Sequence, residues 1–177
     1  MNKNHKYVIS LLLFSIIIFC HAKEILQVYD IKGNIKTLQE VSENKPLIIV
    51  FFSTYTCINC NYELNSTLDK LLKKISFKVI VLSRLSEAFN IIDAYKEKKL
   101  IKTYYPKFDV YFDIHNSDDS WPPKNLQGGL FQFYKVEKFP AILIVKSNFI
   151  KYLPYEFLFN DKVDTSLFNI LENSIKN

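Results

Sequence analysis

Short apolar segments alternate with longer amphipathic ones along most of the chain. Residues 46–52 and 77–83 are almost wholly apolar and rich in branched or aromatic side chains, as in strands that are buried on both faces of a sheet. Residues 108–114 alternate like a third strand, and residues 140–153 have the pattern of two joined strands. Ahead of them, residues 25–41 predict a hairpin, or a strand and turn, followed by a short helical piece.

Apolar residues recur at helical spacing in three further segments, residues 58–75, 87–102 and 166–176. The expected apolar stripes are Leu64, Leu68, Leu71, Leu72 and Ile75 in the first, Ala88, Ile91, Ile92 and Tyr95 in the second, and Leu167, Phe168, Leu171 and Ile175 in the third. The expected N-caps are Ser86 for the second helix and Asp164 or Thr165 for the third. Alternating strands and helices with apolar central strands predict an α/β fold whose mixed or parallel sheet is covered on both faces.

The composition suits one packed domain. Of the 177 residues, 49% are hydrophobic and 15% aromatic, which supplies a core without metals or many disulfides. The three glycines form no phosphate-binding loop. The net charge is only +5, and the lysines are interleaved with acidic and apolar residues rather than gathered in a basic stripe. Nucleic acid is therefore not an expected partner.

The first 22 residues have the pattern of an export signal. A short basic region precedes an apolar stretch at residues 7–20, which is too short for a comfortable membrane span. Cys20 and Ala22 supply small residues for cleavage before Lys23, which predicts a mature domain of residues 23–177 in the periplasm or on the extracytoplasmic face of the membrane. Two alternatives stay open: an uncleaved anchor, and lipidation of Cys20, for which the bulky preceding Phe19 is a poor fit. Only these alternatives would associate the protein with a membrane.

A C-x-x-C pair, Cys57 and Cys60, lies where the strand at residues 46–52 turns into a helix. Unpaired backbone N–H groups and the positive end of the helix dipole favour a thiolate there, so the pKa of Cys57 is expected below the usual value of about 8.5. Cys57 is the predicted nucleophile. Cys60, one turn later, is placed to resolve a mixed disulfide.

A lone C-x-x-C pair also occurs in other kinds of site. A structural zinc site would need two ligands beyond the pair, and the predicted mature chain has only His115 besides the two cysteines. Two thiolates and that imidazole do suit Cu(I), so a copper chaperone using Cys57, Cys60 and His115 is the alternative from a binding class. A non-catalytic interaction domain is a third possibility, favoured if the pair is inert.

Two segments resemble the TlpA/ResA-like thioredoxin-fold proteins. The stretch VYDIKGNIKTLQEVSENKPLIIVFFSTYTCINC, residues 28–60, is similar to the opening of that family, in which a D-x-x-G turn, a short helix, a KP dipeptide and an apolar strand lead to redox cysteines. FYKVEKFPAILIV, residues 133–145, resembles its second signature, Y-x-V-x-x-x-P. The resemblance implies a thioredoxin-like fold with a central mixed sheet flanked by helices, and with an inserted strand and helix between the C-x-x-C helix and the cis-proline strand. It also implies a thiol–disulfide oxidoreductase that needs no cofactor and acts on protein thiols or disulfides with a redox partner protein.

The same resemblance implies substrate-binding residues. Pro140 matches the family's cis-proline, although a proline at the first residue of a strand is also tolerated for structural reasons. Phe139 would then be its substrate-facing neighbour. Thr56 stands where tryptophan is common, so Tyr55 is the candidate aromatic wall, and Phe51 stands where thioredoxin carries a buried acid. These departures leave the direction of electron flow open.

The polar loop at residues 115–125, HNSDDSWPPKN, is the last candidate. Loops that leave the carboxyl ends of parallel strands lie on the face where the cysteines are expected, and such loops often carry binding function. With Trp121 as its large apolar contact, this loop is predicted to help select the partner. The alternative is a tolerated surface insertion.

Overall fold

A computed structural model describes residues 27–54, 56–86, 90–115, 129–146, 149–159 and 166–176, without the side chains of Ser86, Ile114 and His115. Several sequence predictions lie outside the described residues: the export signal, the Tyr55 wall, the loop with Trp121, and the caps Asp164 and Thr165.

The described residues form a seven-stranded mixed sheet with the spatial order β2-β1-β5-β4-β3-β6-β7. The strands are β1 (Gln27–Tyr29), β2 (Ile35–Thr37), β3 (Leu47–Phe52), β4 (Lys78–Ser86), β5 (Asp109–His115), β6 (Ala141–Lys146) and β7 (Phe149–Leu153). The three central strands, β5, β4 and β3, run parallel, while β1 and β6 pair antiparallel to their outer members. The carboxyl ends of the central strands therefore share one edge of the sheet.

Helices cover both faces of this sheet. They are α1 (Leu38–Ser42), α2 (Ile58–Leu72), α3 (Ile91–Tyr104), α4 (Leu130–Phe133), α5 (Tyr155–Leu158) and α6 (Leu167–Lys176). As the resemblance implies, a helix and a strand, α3 and β5, are inserted between the strand that follows α2 and the segment that leads to Pro140. The fold class predicted from the sequence is thus observed.

Strand β3 explains why the central strands are so apolar. All six of its residues are buried, and they alternate between two separate cores. Ile48, Val50 and Phe52 face the core that contains α2, α3 and α6. The other three face the core that contains α1 and α4. A strand with both faces buried has no position left for a polar side chain.

The helix predicted at residues 87–102 is wrong in its start and in its buried face. Ser86 ends β4 instead of capping a helix, and α3 begins after Asn90, whose side-chain oxygen accepts from the N–H of Ile92 at 2.9 Å. Ala94 and Ile101 face the core. Ile91, Ile92 and Tyr95 are exposed instead. Asn90 caps as well as serine does, and the packing of α3 against the core that contains α2 buries the face with Ala94 and Ile101.

Candidate active site

Cys57 is the N-cap of α2, and Cys60 lies in its first turn. The two sulfurs are joined in a disulfide with an S–S distance of 2.08 Å and a Cα–Cα distance of 5.2 Å. The Cys57 side chain also accepts a hydrogen bond from the N–H of Cys60 at 3.2 Å. The N-terminal position predicted for the pair is therefore observed.

The two cysteines differ in their exposure to solvent. Cys57 is partly exposed, whereas Cys60 is 9% exposed. Ile58, the first residue between them, is 55% exposed and presents an apolar side chain beside the disulfide. An incoming thiolate thus meets Cys57 before Cys60.

A buried amide, Asn61, ties the turn before α2 to the helix. Its Nδ2 donates to Thr56 Oγ1 and to the carbonyl oxygen of Cys57, each at 2.9 Å. Its Oδ1 accepts from the Tyr105 hydroxyl at 2.6 Å. Asn61 and Tyr105 are both fully buried, and burial raises the pKa of Tyr105, so this phenol remains a donor. The sequence reasoning missed both residues, although an asparagine on the apolar face of α2 was the available signal.

Pro140 lies immediately before β6, at the end of the strand that is nearest the cysteines. Ala141 pairs with Phe51 near the end of β3, which places Pro140 at the edge where the chain leaves for Cys57. The Phe139–Pro140 peptide bond is cis. Pro140 is buried and Phe139 is partly exposed, with its ring 5.9 Å from that of Phe131. The fold therefore brings the second sequence signature to the same edge as the first.

Phe51 stands where thioredoxin carries a buried acid. It is fully buried, and its ring packs edge-on against Phe131 at 4.9 Å between centroids. A carboxyl group nevertheless lies on this side of the sheet, because Asp113 on β5 accepts a hydrogen bond from the N–H of Phe131 at 2.9 Å. Asp113 is 5% exposed.

Burial raises the pKa of Asp113 to about 6. The N–H groups of Phe131 and Leu130 and the charge of Arg84, its partner on β4, act in the opposite direction. Gly129 leaves room for this arrangement, since a Cβ there would lie 2.7 Å from a carboxylate oxygen of Asp113. Sequence reasoning missed Asp113, which looked like one polar position in an alternating strand.

A distant tyrosine completes the surroundings of Cys60. The Tyr155 hydroxyl, at the start of α5, lies 3.5 Å from Cys60 Sγ although the two residues are 95 positions apart. No sequence motif marked Tyr155, because only the tertiary structure brings it to the cysteines.

The remaining candidates are not brought into the site by described contacts. Tyr55 lies outside the described residues, and of His115 only the backbone is described, paired with Ser86 at the end of β5. Within the described part of the chain, no group of three or more His, Cys, Asp or Glu side chains is arranged to hold a metal ion.

Comparison with known proteins finds similarity at the level of structure. No protein-family model matches the sequence, and no curated protein does. A thioredoxin-like protein from Porphyromonas gingivalis has a TM-score of 0.54 at 19% identity, covering 86% of this chain and 90% of its own. The chain has a thioredoxin-like fold.

Two further structures agree with it. The C-terminal domain of a candidate thiol–disulfide oxidoreductase from Bacteroides thetaiotaomicron has a TM-score of 0.52 at 18% identity, over 85% of this chain and 90% of that one. A secreted disulfide oxidoreductase of Mycobacterium tuberculosis has a TM-score of 0.50 at 13% identity, over 88% and 97%. The fold implied by the resemblance of the two sequence signatures is confirmed.

Proposed function

We propose that this protein is a thiol–disulfide oxidoreductase that acts on protein thiols and disulfides through Cys57 and Cys60. The observation that carries the proposal is the Cys57–Cys60 disulfide at the N-terminus of α2, with Cys57 partly exposed and Cys60 nearly buried. The N-terminal position favours a thiolate at Cys57, and the thiolate is the form that attacks disulfides.

The proposed reaction passes through a mixed disulfide. In the reducing direction, the Cys57 thiolate attacks a substrate disulfide, forms an S–S bond to one substrate sulfur and releases the other as a thiolate. Cys60 then attacks Cys57 Sγ, which frees the second substrate thiolate and closes the Cys57–Cys60 bond. The oxidising direction is the reverse sequence, and a second protein restores the starting redox state.

The proposed substrate-binding residues are Thr56, Phe139 and Pro140, together with Tyr55. The register of Ala141 with Phe51 supports this role for the proline segment, because it places that segment at the cysteine edge of the sheet. The exposed side chain of Ile58 adds an apolar contact next to the reacting sulfur. We infer that the partner presents an extended segment around its own cysteine.

We also propose that the protein is exported and works outside the cytoplasm. The signal pattern of residues 1–22 supports export, as does a cysteine pair suited to compartments where disulfides persist. One structurally similar protein is described as secreted. In the described part of the chain, none of the helices has both the length and the apolar character that crossing a membrane requires. Fractionation of the native host, with the N-terminus of the product determined, tests cleavage before Lys23.

Disulfide reduction with an insulin-type substrate tests the activity. Cys57→Ser is expected to abolish it, while Cys60→Ser is expected to retain partners as mixed disulfides on Cys57. A Cys57→Ser variant with full activity would refute the assignment. Activity absent from the parent protein, together with stoichiometric Cu(I) that is lost on His115→Ala, would favour the copper-binding alternative instead.

A further inference from the structure

Cys60 Sγ becomes a buried anion during the proposed reaction. When a thiolate attacks Cys57 Sγ, the new S–S bond forms at Cys57, and the electron pair of the broken Cys57–Cys60 bond leaves on Cys60. Cys60 is 9% exposed, so little water reaches that charge. A buried charge is costly unless the protein supplies hydrogen-bond donors.

The Tyr155 hydroxyl is a donor within reach of that sulfur. It lies 3.5 Å from Cys60 Sγ, whereas Cys57 Sγ has a different donor, the N–H of Cys60 at 3.2 Å. Each sulfur thus has its own polar neighbour. A backbone N–H donates to the more exposed cysteine, Cys57, and the hydroxyl of a residue 95 positions away contacts the buried one, Cys60.

The element that carries Tyr155 is anchored on both sides. Leu153, two residues earlier, and Leu158, the last residue of α5, are buried in the core that contains α2. Pro154 is the N-cap of α5 and sets the direction in which the helix starts. The ring of Tyr155 also packs at a tilt against that of Phe159, with 5.2 Å between centroids. These contacts fix the position of the Tyr155 hydroxyl next to Cys60.

We propose that Tyr155 is a catalytic residue whose hydroxyl donates a hydrogen bond to the Cys60 thiolate released when the disulfide opens. This inference rests on the proposed function. An ordinary phenol is a weaker acid than an ordinary thiol, so the proton stays on oxygen while the bond stabilises the anion on sulfur. In the closing step the Cys60 thiolate leaves this bond, attacks Cys57 Sγ and expels the partner's thiolate.

Two charged side chains accompany Tyr155. Glu156 follows it on α5, and Lys138, on the segment that leads to the cis-proline, forms an ion pair with Glu156 at 2.7 Å. Both ions are exposed and paired with each other. Tyr155→Phe therefore leaves this pair in place, and its effect reports the loss of the hydroxyl alone.

The test is the titration of Cys60 in a Cys57→Ser background, followed by thiolate absorbance near 240 nm as a function of pH. Adding Tyr155→Phe removes only the hydroxyl and keeps the ring on Phe159. The midpoint is expected to rise by about one pH unit, equivalent to about tenfold less thiolate on the acid side of the transition. The matched control is Tyr95→Phe, which removes a phenol that is 54% exposed on α3 and should leave the midpoint unchanged.

A second measurement uses the complete cysteine pair. At a pH above the raised Cys60 midpoint, where the reduced form carries the Cys60 thiolate, the equilibrium with glutathione is expected to lie about tenfold further toward the disulfide in Tyr155→Phe than in the parent protein. The reason is that the reduced form of the variant lacks a hydrogen bond to that anion. A Cys60 midpoint that is the same with and without the hydroxyl would overturn the proposal. The titration needs no turnover, so a raised midpoint in a protein without exchange activity would support the Tyr155 contact while refuting the proposed function.

Discussion

At the scale of single residues, the most informative side chains are polar ones that the apolar pattern conceals. Asn61 lies on the buried face of α2, and its amide makes three hydrogen bonds, to Thr56, Cys57 and Tyr105. A buried amide whose N–H groups and oxygen all form hydrogen bonds fixes the turn that carries Cys57. Asn61 therefore connects the stability of the domain with the shape of its candidate active site.

Replacing this amide should cost more than replacing an exposed one on the same helix. Asn61→Ala leaves the buried Tyr105 hydroxyl without its acceptor, so we expect a loss of about 2 kcal/mol or more in the free energy of unfolding. Asn59→Ala, on the exposed side of the first turn, should change it by less than about 0.5 kcal/mol. Urea unfolding of both variants measures the difference, and equal losses would contradict the network.

A double-mutant cycle separates this bond from general packing effects. Tyr105→Phe should cost less in the Asn61→Ala background than in the parent, because its hydroxyl has already lost its acceptor. Additive losses would mean that the two side chains are not coupled.

Asp113 should make stability depend on pH. Its pKa in the folded protein is about 6, above the ordinary value of 3.8, so between these values the folded state binds more protons than the unfolded chain. The contribution of Asp113 to stability is then fully present below about pH 4, falls as pH rises toward 6 and levels off above that, with a total change of about 3 kcal/mol. This contribution is absent in Asp113→Asn. The free energy of unfolding of the variant, minus that of the parent, should therefore increase between about pH 4 and pH 6. Urea unfolding from pH 4 to 7.5 measures it, and a pH-independent difference would contradict it.

At the scale of elements, α3 shows what an apolar pattern leaves undetermined. Ile92 and Ile101 both lie in the helix, yet Ile92 is 62% exposed and Ile101 is fully buried. The local sequence allows more than one start, because Ser86 and Asn90 are both good caps. The extension of β4 to Ser86, paired with β5, excludes the earlier one.

Truncating these two isoleucines checks the orientation of α3. Ile101→Ala should lower the free energy of unfolding by about 2–5 kcal/mol through lost burial and a residual cavity. The matched Ile92→Ala should change it by less than about 1 kcal/mol, because its side chain is already in solvent. Similar losses for the two, or the larger loss for Ile92→Ala, would restore the face predicted from sequence.

At the scale of the whole molecule, the sheet order decides which parts of the chain meet the cysteines. The antiparallel pairing of β6 with β3 brings the Pro140 segment to the edge where α2 begins, and β7 then returns the chain so that α5 reaches Cys60. Three separate segments of the described chain thus meet at one disulfide. A protein partner would face all of these segments together.

The loop prediction belongs at this scale because it concerns partner choice. Cys60→Ser should trap partners from the native host on Cys57, and replacing residues 116–125 with a short glycine linker in that variant should reduce the trapped amount several-fold. Reduction of a small disulfide compound by the loop variant with both cysteines present should be unchanged, since the reacting sulfurs are intact. Undiminished trapping would show that the loop is only a tolerated insertion. Cys57→Ser/Cys60→Ser is the control for non-covalent retention.

The sequence by itself determined the fold class, the strand β3 with both faces buried, and the position of Cys57 at the start of a helix. These features follow from local rules: side-chain periodicity, the apolarity of a doubly covered strand, and the chemistry of a helix N-terminus. Tertiary structure alone decided the orientation of α3, the burial of Asn61 and Asp113, and the contact between Tyr155 and Cys60. Such contacts join residues far apart in the chain, and periodicity carries no information about which distant residue a side chain will meet.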